Sequence, residues 1–286
     1  MATALRRGCV AFVAVALWLG VAAKGQTVGE WKRAILMTYY GTSEDSARAV
    51  AIDATTECVR RAFPTFEVRE SWTSRAAANA LKRRSGEDRL LFPKAMEQLR
   101  ADGFNDVVVV CCEMIAGNEY HYLERQIERF RPEFFDIRLT TPLLYTVDDC
   151  RKVLDIVLDV VGAAADEQAV LVGHGRDDAA NDVYCLADYI LQHEGHERYH
   201  VGTISGYPSV EEVKRILKAS DTKKVVLAPL IVMAAGHATK DIFKTWREAM
   251  EAEGYEVRLV RQGVLEYPEI RQLIIGKIKE EIAGGE

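Results

Sequence analysis

Two histidines lie beside glycines in stretches that could support metal or proton chemistry. His174 is in "VLVGHG" and His237 is in "MAAGHA", and each follows an apolar run typical of a buried β-strand. A neutral imidazole binds divalent transition metals such as cobalt, nickel or iron, and it exchanges protons near neutral pH. One such histidine could simply hydrogen-bond its own loop, but two in equivalent settings favour a joint role. We therefore predict that His174 and His237 act jointly, either as ligands of a transition metal or in proton transfer.

The other histidines carry a weaker signal. His193, His196 and His200 have the spacing of a helical metal site, but Gly195 interrupts the helix and the charged stretch "LQHEGHERYH" is typical of a solvated loop. We expect such a loop there. His121, in "GNEYHYL", either faces a binding cleft or only packs against its neighbours, and the sequence does not decide between the two.

Short apolar runs alternate with helix-length amphipathic segments from Trp31 onward. This alternation predicts parallel sheets joined by right-handed helical crossovers. The predicted strands are "RAILMTYY", "FEVRESW", "DVVVVCCEMI", "DIRLTTPLL", "AVLVGHG", "YHVGTISG", "KKVVLAPLIV" and "YEVRLVRQG".

The strand–helix pattern occurs twice, which indicates an internal duplication. We predict an α/β protein of two similar domains, 30–163 and 166–286, each a parallel sheet flanked by helices, with a cleft between them. Aligning the halves places Tyr40 opposite His174 and Asn118 opposite His237. Because ligands bind outside the carboxyl ends of parallel strands, the cleft is the predicted site.

Composition excludes several classes of protein. The 286 residues are 49% hydrophobic and 28% charged, with a formal net charge of -6 and no basic stripe, so we expect a globular protein that does not bind nucleic acid. The cysteines other than Cys9 show no CxxC spacing, which favours small buried hydrophobes over a zinc site or a disulfide framework. The sequence also lacks a GxxxxGK[ST] phosphate loop, a GxGxxG after the first strand and a GxSxG elbow.

The first 25 residues have the layout of a secretory signal peptide. Arg6 and Arg7 precede an apolar run from Cys9 to Ala23, and small residues at Ala22 and Ala23 could mark a cleavage site. The run is short for a membrane span, although an uncleaved anchor stays open. We expect an exported protein, periplasmic in a bacterium.

Five stretches together resemble a known family. They are "ILMTYYGTS", "AGNEYHYL", "VLVGHG", "SGYPSVEEV" and "KKVVLAPLIVMAAGHATKDI". They are similar to the anaerobic sirohydrochlorin cobaltochelatases of the CbiK type, class II chelatases like protoporphyrin ferrochelatase. The likeness runs from about Ala34 to the last helix. It implies insertion of a divalent metal, Co²⁺ first with iron or nickel as alternatives, into sirohydrochlorin during anaerobic cobalamin-type biosynthesis. It also implies two similar domains and no need for ATP or another cofactor.

The resemblance also implies roles for individual residues. His174 and His237 would bind the incoming metal, and His174 would take protons from the pyrrole nitrogens. The tetrapyrrole would lie in the cleft with its acidic side chains outward. Its expected contacts at the strand ends are Tyr40, Gly41, Met114, Ile115, Gly206 and Tyr207.

The sequence departs from the family in two places. The family usually has a third metal ligand, a glutamate, just before "GYP", where this chain has Ser205, a poor ligand for these metals. Glu113 or Glu119 from the other half could replace that carboxylate. Exported relatives can bind haem through a histidine in the segment that reads "CCEMIAG" here, and since this segment has no histidine, we predict no structural haem.

These departures keep a second hypothesis open: an exported metal or tetrapyrrole carrier with a chelatase fold and little turnover. A two-lobed solute receptor for an importer, similar to a chelatase only in fold, is a third. A homo-oligomer is compatible with the sequence.

Overall fold

Two four-stranded parallel sheets form the frame of the protein, as the strand–helix alternation predicts. The structure is a computed structural model that describes residues 31–236 and 240–285. The first sheet contains β1 (Arg33–Tyr39), β2 (Glu67–Trp72), β3 (Asp106–Cys111) and β4 (Asp136–Leu139) in the order β2-β1-β3-β4. The second contains β5 (Glu167–Gly173), β6 (Tyr199–Thr203), β7 (Lys224–Pro229) and β8 (Glu256–Leu259) in the order β6-β5-β7-β8. The identical orders confirm two similar halves.

Helices connect the strands and cover both sheets. Helix α1 joins Asp45–Ala47, a π-helical stretch Arg48–Asp53 and Ala54–Ala62, and α8 joins a π-helical stretch Asp241–Trp246 and Arg247–Ala252. The others are α2 (Arg75–Ser85), α3 (Phe92–Ala101), α4 (Asn118–Phe130), α5 (Val147–Val161), α6 (Asp182–His193), α7 (Val210–Leu217) and α9 (Pro268–Gly284), with short 3₁₀ turns at Arg131–Glu133, Ala179–Asn181 and Val264–Glu266.

The strands are shorter at their carboxyl ends than the apolar runs predict. The run "DVVVVCCEMI" extends to Ile115, but β3 ends at Cys111. Its neighbour β4 ends at Leu139, and the hydroxyl of Thr140 accepts the N–H of Cys111 at 3.0 Å. With no strand left to pair on that side, the chain turns into a loop after Cys112, whose N–H still donates to the carbonyl oxygen of Thr38 in β1 at 3.0 Å. Glu113, Met114 and Ile115 therefore belong to the loop at the carboxyl edge.

Alternating side chains of the strands build one shared core and two outer cores. Ile35 and Val108 of the first sheet belong to the same buried cluster as Leu171 and Val226 of the second, together with residues of α1, α5, α6 and α9. The opposite faces pack separately, the first sheet under α3 and α4 and the second under α7 and α8. Since strands buried on both faces need apolar residues at successive positions, the continuous apolar runs are explained.

The last helix packs on the first half although it follows the second sheet in sequence. Lys277 of α9 donates to the hydroxyl of Thr141 at 2.8 Å and pairs with Asp149 at 2.7 Å. Arg271 donates to the carbonyl oxygen of Val50 at 2.7 Å. The C-terminus thus completes the first half, while the limits 30–163 and 166–286 stay a prediction from the repeat.

The histidine-rich stretch is an exposed turn at residues 194–198, as its composition suggests, but its two ends belong to a helix and a strand. His193 ends α6 and stacks on Tyr189 with ring centroids 3.9 Å apart. His200 is buried in β6, where its Nε2 lies 2.9 Å from Gln168 Oε1, and burial lowers its pKa to about 4. The loop prediction is wrong for His200, because a buried amide partner lets a strand accommodate this imidazole.

The prediction of buried cysteines is confirmed for Cys111, Cys112 and Cys150. Among the described residues all cysteines are unbonded, with Cys111, Cys112 and Cys150 buried and Cys58 and Cys185 half-buried. The predicted leader lies outside the described residues. Within the described ranges no helix combines the length and apolar character needed to cross a bilayer.

Candidate functional site at the carboxyl edges of the sheets

His174 stands directly after β5, at the carboxyl edge of the second sheet, as Tyr40 stands after β1 of the first. Its side chain is exposed, and its Nδ1 lies 3.2 Å from the carbonyl oxygen of Gly175. A carbonyl can only accept, so Nδ1 carries the proton of the neutral ring and the lone pair is on Nε2. That nitrogen can bind a metal or take a proton.

The glycines on both sides of His174 are required by the protein's own side chains. A Cβ on Gly173 would lie 2.2 Å from the ring of Tyr184, and one on Gly175 would lie 2.6 Å from Thr203 Cβ. Gly175 also has φ of +77°, in the left-handed region that favours glycine. Tyr184 is buried under the loop with its phenol oxygen near the amides of His174 and Gly175, and burial raises its pKa to about 12. The loop is therefore held in one conformation.

Ser205 lies beside His174, so the structure brings these two predicted metal residues together. The N–H of Ser205 donates to the carbonyl oxygen of His174 at 2.9 Å, and its hydroxyl donates to the same oxygen at 3.1 Å. The N–H of Ile204 donates to the carbonyl oxygen of Gly173 at 3.0 Å. The serine hydroxyl thus fixes the loop backbone, which gives it a structural partner other than a metal.

An asparagine outside the sequence motifs joins the two loops. Asn181 accepts the N–H of Arg176 at 3.0 Å through Oδ1 and donates through Nδ2 to the carbonyl oxygen of Tyr207 at 2.7 Å. A Cβ on Gly206 would lie 2.4 Å from that Oδ1, so this glycine lets the loops approach. Tyr207 itself is 57% exposed and precedes a cis peptide bond to Pro208.

Arg176 connects the second half to the first at the edge of the cleft. Its Nη2 donates to Asn118 Oδ1 at 3.1 Å, while its guanidinium also pairs closely with Asp178. The repeat alignment pointed to Asn118 but not to Arg176. The sequence signal that could have identified Arg176 is its position two residues after the strand-end His174 and two residues before Asp178.

The residues of the first half that are predicted to contact the tetrapyrrole differ in how exposed they are. Tyr40 is 46% exposed at the edge, and Gly41, with φ of +95°, is covered by the Trp72 ring. Ile115 is half-buried, whereas Met114 is only 6% exposed and belongs to the shared core. Their roles toward a ligand stay predictions.

Glu113 is the unusual carboxyl of this edge. Its Oε1 is buried and has no hydrogen-bond partner. Burial and the charge of Glu119 raise its pKa to about 8, against a smaller opposing effect of the Tyr40 N–H. At neutral pH the group is therefore mainly an uncharged acid.

Of the other candidates, His121 faces the surface and His237 lies outside the described residues. His121 is exposed, with its Nδ1 2.7 Å from Glu124 Oε2, which settles the open choice against packing in the interior. The chain that leads to His237 touches both halves, because Leu230 donates to Val172 O at 2.8 Å and Gly236 donates to Glu44 Oε1 at 2.9 Å. No cluster of three metal-ligating side chains occurs among the described residues.

Comparison with known proteins decides the family. The family model "cobalt chelatase (CbiK)" matches residues 33–283. The chain belongs to the CbiK cobalt chelatase family. It is 25% identical over 256 residues to the sirohydrochlorin cobaltochelatase of Salmonella typhimurium, covering 88% of this chain and 97% of that protein. It is 28% identical over 249 residues to sirohydrochlorin cobaltochelatase CbiKC of Nitratidesulfovibrio vulgaris, covering 82% and 86%.

Solved structures show the same fold at lower identity. SirB from Bacillus subtilis with Fe³⁺ has a TM-score of 0.66 and 16% identity, covering 89% of this chain and 97% of SirB. CbiX, described as the terminal enzyme for biosynthesis of siroheme in denitrifying bacteria, has a TM-score of 0.51 and 17% identity, covering 87% and 99%. The chelatase-like architecture predicted from the sequence is confirmed.

Glu113 makes the protein less stable as pH rises. Its pKa of about 8 in the folded state exceeds the ordinary value of 4.5, so the folded state holds this proton more tightly than the unfolded state. The contribution is therefore present below about pH 4.5 and is lost as pH rises toward 8. Between pH 6 and pH 9 the free energy of unfolding should fall less in Glu113→Gln than in the wild type. The two slopes should differ by at most about 1.4 kcal/mol per pH unit in the titrating range.

Urea unfolding at pH 6 and pH 9 measures this difference. The exposed Glu280→Gln serves as the matched control and should follow the wild type. If Glu113→Gln loses as much stability as the wild type over this range, the carboxyl is not held uncharged.

Proposed function

We propose that this chain inserts a divalent metal, with Co²⁺ as the first candidate, into sirohydrochlorin without ATP. The observation that carries the proposal is the match to the cobalt chelatase family over residues 33–283, which includes His174 at the exposed carboxyl edge. Both curated relatives are named sirohydrochlorin cobaltochelatases. The absence of a GxxxxGK[ST] motif agrees with a reaction that needs no nucleotide.

The reaction exchanges two pyrrole protons for one dication. The metal must lose water, and two N–H bonds of the macrocycle must break as the metal–nitrogen bonds form. His174 Nε2 supplies a lone pair that replaces a water on the metal or accepts a pyrrole proton. Because the side chain is exposed, the imidazolium can pass that proton to solvent before it accepts the second. We assign His237 as the partner ligand.

The cleft edges offer suitable surfaces for a flat acidic macrocycle. Tyr40 and Tyr207 are exposed aromatic rings on opposite halves. An uncharged Glu113 adds no negative charge against the acidic side chains of the tetrapyrrole. A rigid cleft that binds a distorted ring better than a flat one would expose the nitrogen lone pairs and speed insertion.

Iron and nickel remain alternative metals in this proposal, since imidazole binds all three. No resident cofactor and no structural haem are proposed, because the "CCEMIAG" segment supplies a carboxyl and a thioether but no imidazole. We also propose export to the periplasm of a bacterium, based on the charged and then apolar layout of residues 1–25.

Removing the imidazole of His174 should slow metal insertion strongly. His174→Ala is expected to lower kcat for Co²⁺ insertion by roughly 10²–10⁴-fold, the range for loss of a general base. The absorbance change on metallation of sirohydrochlorin measures the rate. His193→Ala, which removes an exposed histidine at the far end of α6, is the control and should keep the wild-type rate. Unchanged insertion by His174→Ala would remove His174 from the mechanism.

A carrier with the same fold is the second candidate, and Ser205 favours it. The family's glutamate would offer a charged ligand beside His174, whereas the Ser205 hydroxyl donates to the backbone of His174. With a weaker metal site, the protein could bind metal or tetrapyrrole with little turnover.

Ser205→Glu separates the two candidates. In a working chelatase with a weakened site, the new carboxylate should lower the KM for Co²⁺ by about tenfold, since one charge-assisted ligand is worth roughly 1.4 kcal/mol or more. Ser205→Ala controls for loss of the hydroxyl contact, and steady-state insertion rates against Co²⁺ concentration give the comparison. Turnover that appears only in Ser205→Glu would identify the natural protein as a carrier.

A further inference from the structure

A second pocket lies at the β2 edge of the first sheet, away from His174. Its volume is about 320 Å³, enough for a small ligand. The polar and aromatic residues that line it are Arg60, Arg69, Glu70, Trp72, Asp88 and Arg89. Nothing in the proposed insertion reaction uses these side chains.

Two N–H donors at this pocket are buried and have no acceptor. Trp72 is fully buried, yet its Nε1 has no hydrogen-bond partner, and neither does the buried Nε of Arg89. The Arg89 guanidinium lies 5.8 Å from the centre of the Trp72 ring, so the two groups are neighbours. Buried donors are nearly always paired in folded proteins, which makes two unpaired ones at a single pocket informative.

The terminal nitrogens of Arg89 are already occupied, and this holds its Nε in place. Nη1 donates to Glu70 at 3.2 Å and Nη2 donates to Glu87 at 2.5 Å. Arg69 is held in the same way, with Nε 3.0 Å from Glu67 and Nη1 2.6 Å from Asp102. The pocket walls are therefore preorganised by ion pairs, which lowers the entropic cost of binding.

The unpaired groups of the lining favour a ligand that accepts hydrogen bonds. All three arginines of the lining are paired with carboxylates, and Arg60 is the most exposed of the three, with its guanidinium 3.4 Å from Glu57. Both unpaired groups are donors, so a cation or a ligand that only donates would leave them unpaired. Arginine and indole N–H groups pair well with the oxygens of planar or tetrahedral anions.

We propose that this pocket binds an oxyanion, the group shared by phosphates and carboxylates, with Trp72 Nε1–H and Arg89 Nε–H donating to its oxygens. The Trp72 side chain lies between the proposed oxyanion and the edge of the cleft at Gly41. The same Trp72 ring covers Gly41, where a Cβ would lie 2.3 Å from Cε3, and the next residue, Thr73, donates to Tyr39 O at 2.9 Å.

Calorimetric titration of the full chain at constant ionic strength tests the proposal, with inorganic phosphate in one arm and succinate in the other. We expect saturable binding at one site. The anion that binds more tightly shows whether the pocket is built for a phosphate or for a carboxylate. Trp72→Phe keeps an aromatic ring but removes the N–H, and it should weaken binding at least tenfold. Arg60→Gln should weaken binding several-fold.

Matched variants separate the pocket from general effects. Trp246→Phe alters another buried tryptophan, and Arg61→Gln removes a neighbouring exposed charge that does not line the pocket, so both should bind like the wild type. If Trp72→Phe fails to fold by circular dichroism, Arg89→Lys replaces it, since lysine keeps the charge but lacks the Nε–H. Absence of saturable binding of both anions, or wild-type affinity in the folded donor variant, would overturn the proposal.

Discussion

The close approach of two backbone loops at the carboxyl edge of the second sheet is the constraint on which the site depends. His174 can stand exposed at a fixed position because the carbonyl oxygens on its own loop accept from the loop that follows β6. That approach is only sterically possible with glycine at positions 173, 175 and 206. A side chain at any of them would push Tyr184, Thr203 or Asn181 away and move the imidazole with them.

Much of the fold could be predicted from the sequence because parallel strands buried on both faces leave continuous apolar runs. The strand ends could not, since the run through Cys112 and Met114 stays largely apolar after β3 has lost β4 as a partner. Tertiary pairing decides where such a strand stops. The packing of α9 on the first half could not be predicted either, because Lys277 contacts Thr141 and Asp149, which are far from it in the sequence.

The candidate site was predictable in part. Glycine-flanked His174 and the GYP segment were visible as motifs, and the structure joins them through Ser205. Tyr184, Asn181 and Arg176 were not visible, because their contribution is to hold backbone and not to present a motif. The glycines beside His174 were visible in the sequence, but only the structure shows that one of them, Gly173, makes room for the ring of Tyr184.

Whether the site turns over is the central question, and multiple-turnover insertion measures it most directly. Purified wild-type protein should be mixed with a tenfold excess of sirohydrochlorin and Co²⁺ under anaerobic conditions, with the metallated spectrum followed over time. We expect product well beyond one equivalent of protein, formed faster than in the protein-free mixture. Product that stops at one equivalent, or that forms at the uncatalysed rate, would contradict an enzyme and leave a carrier.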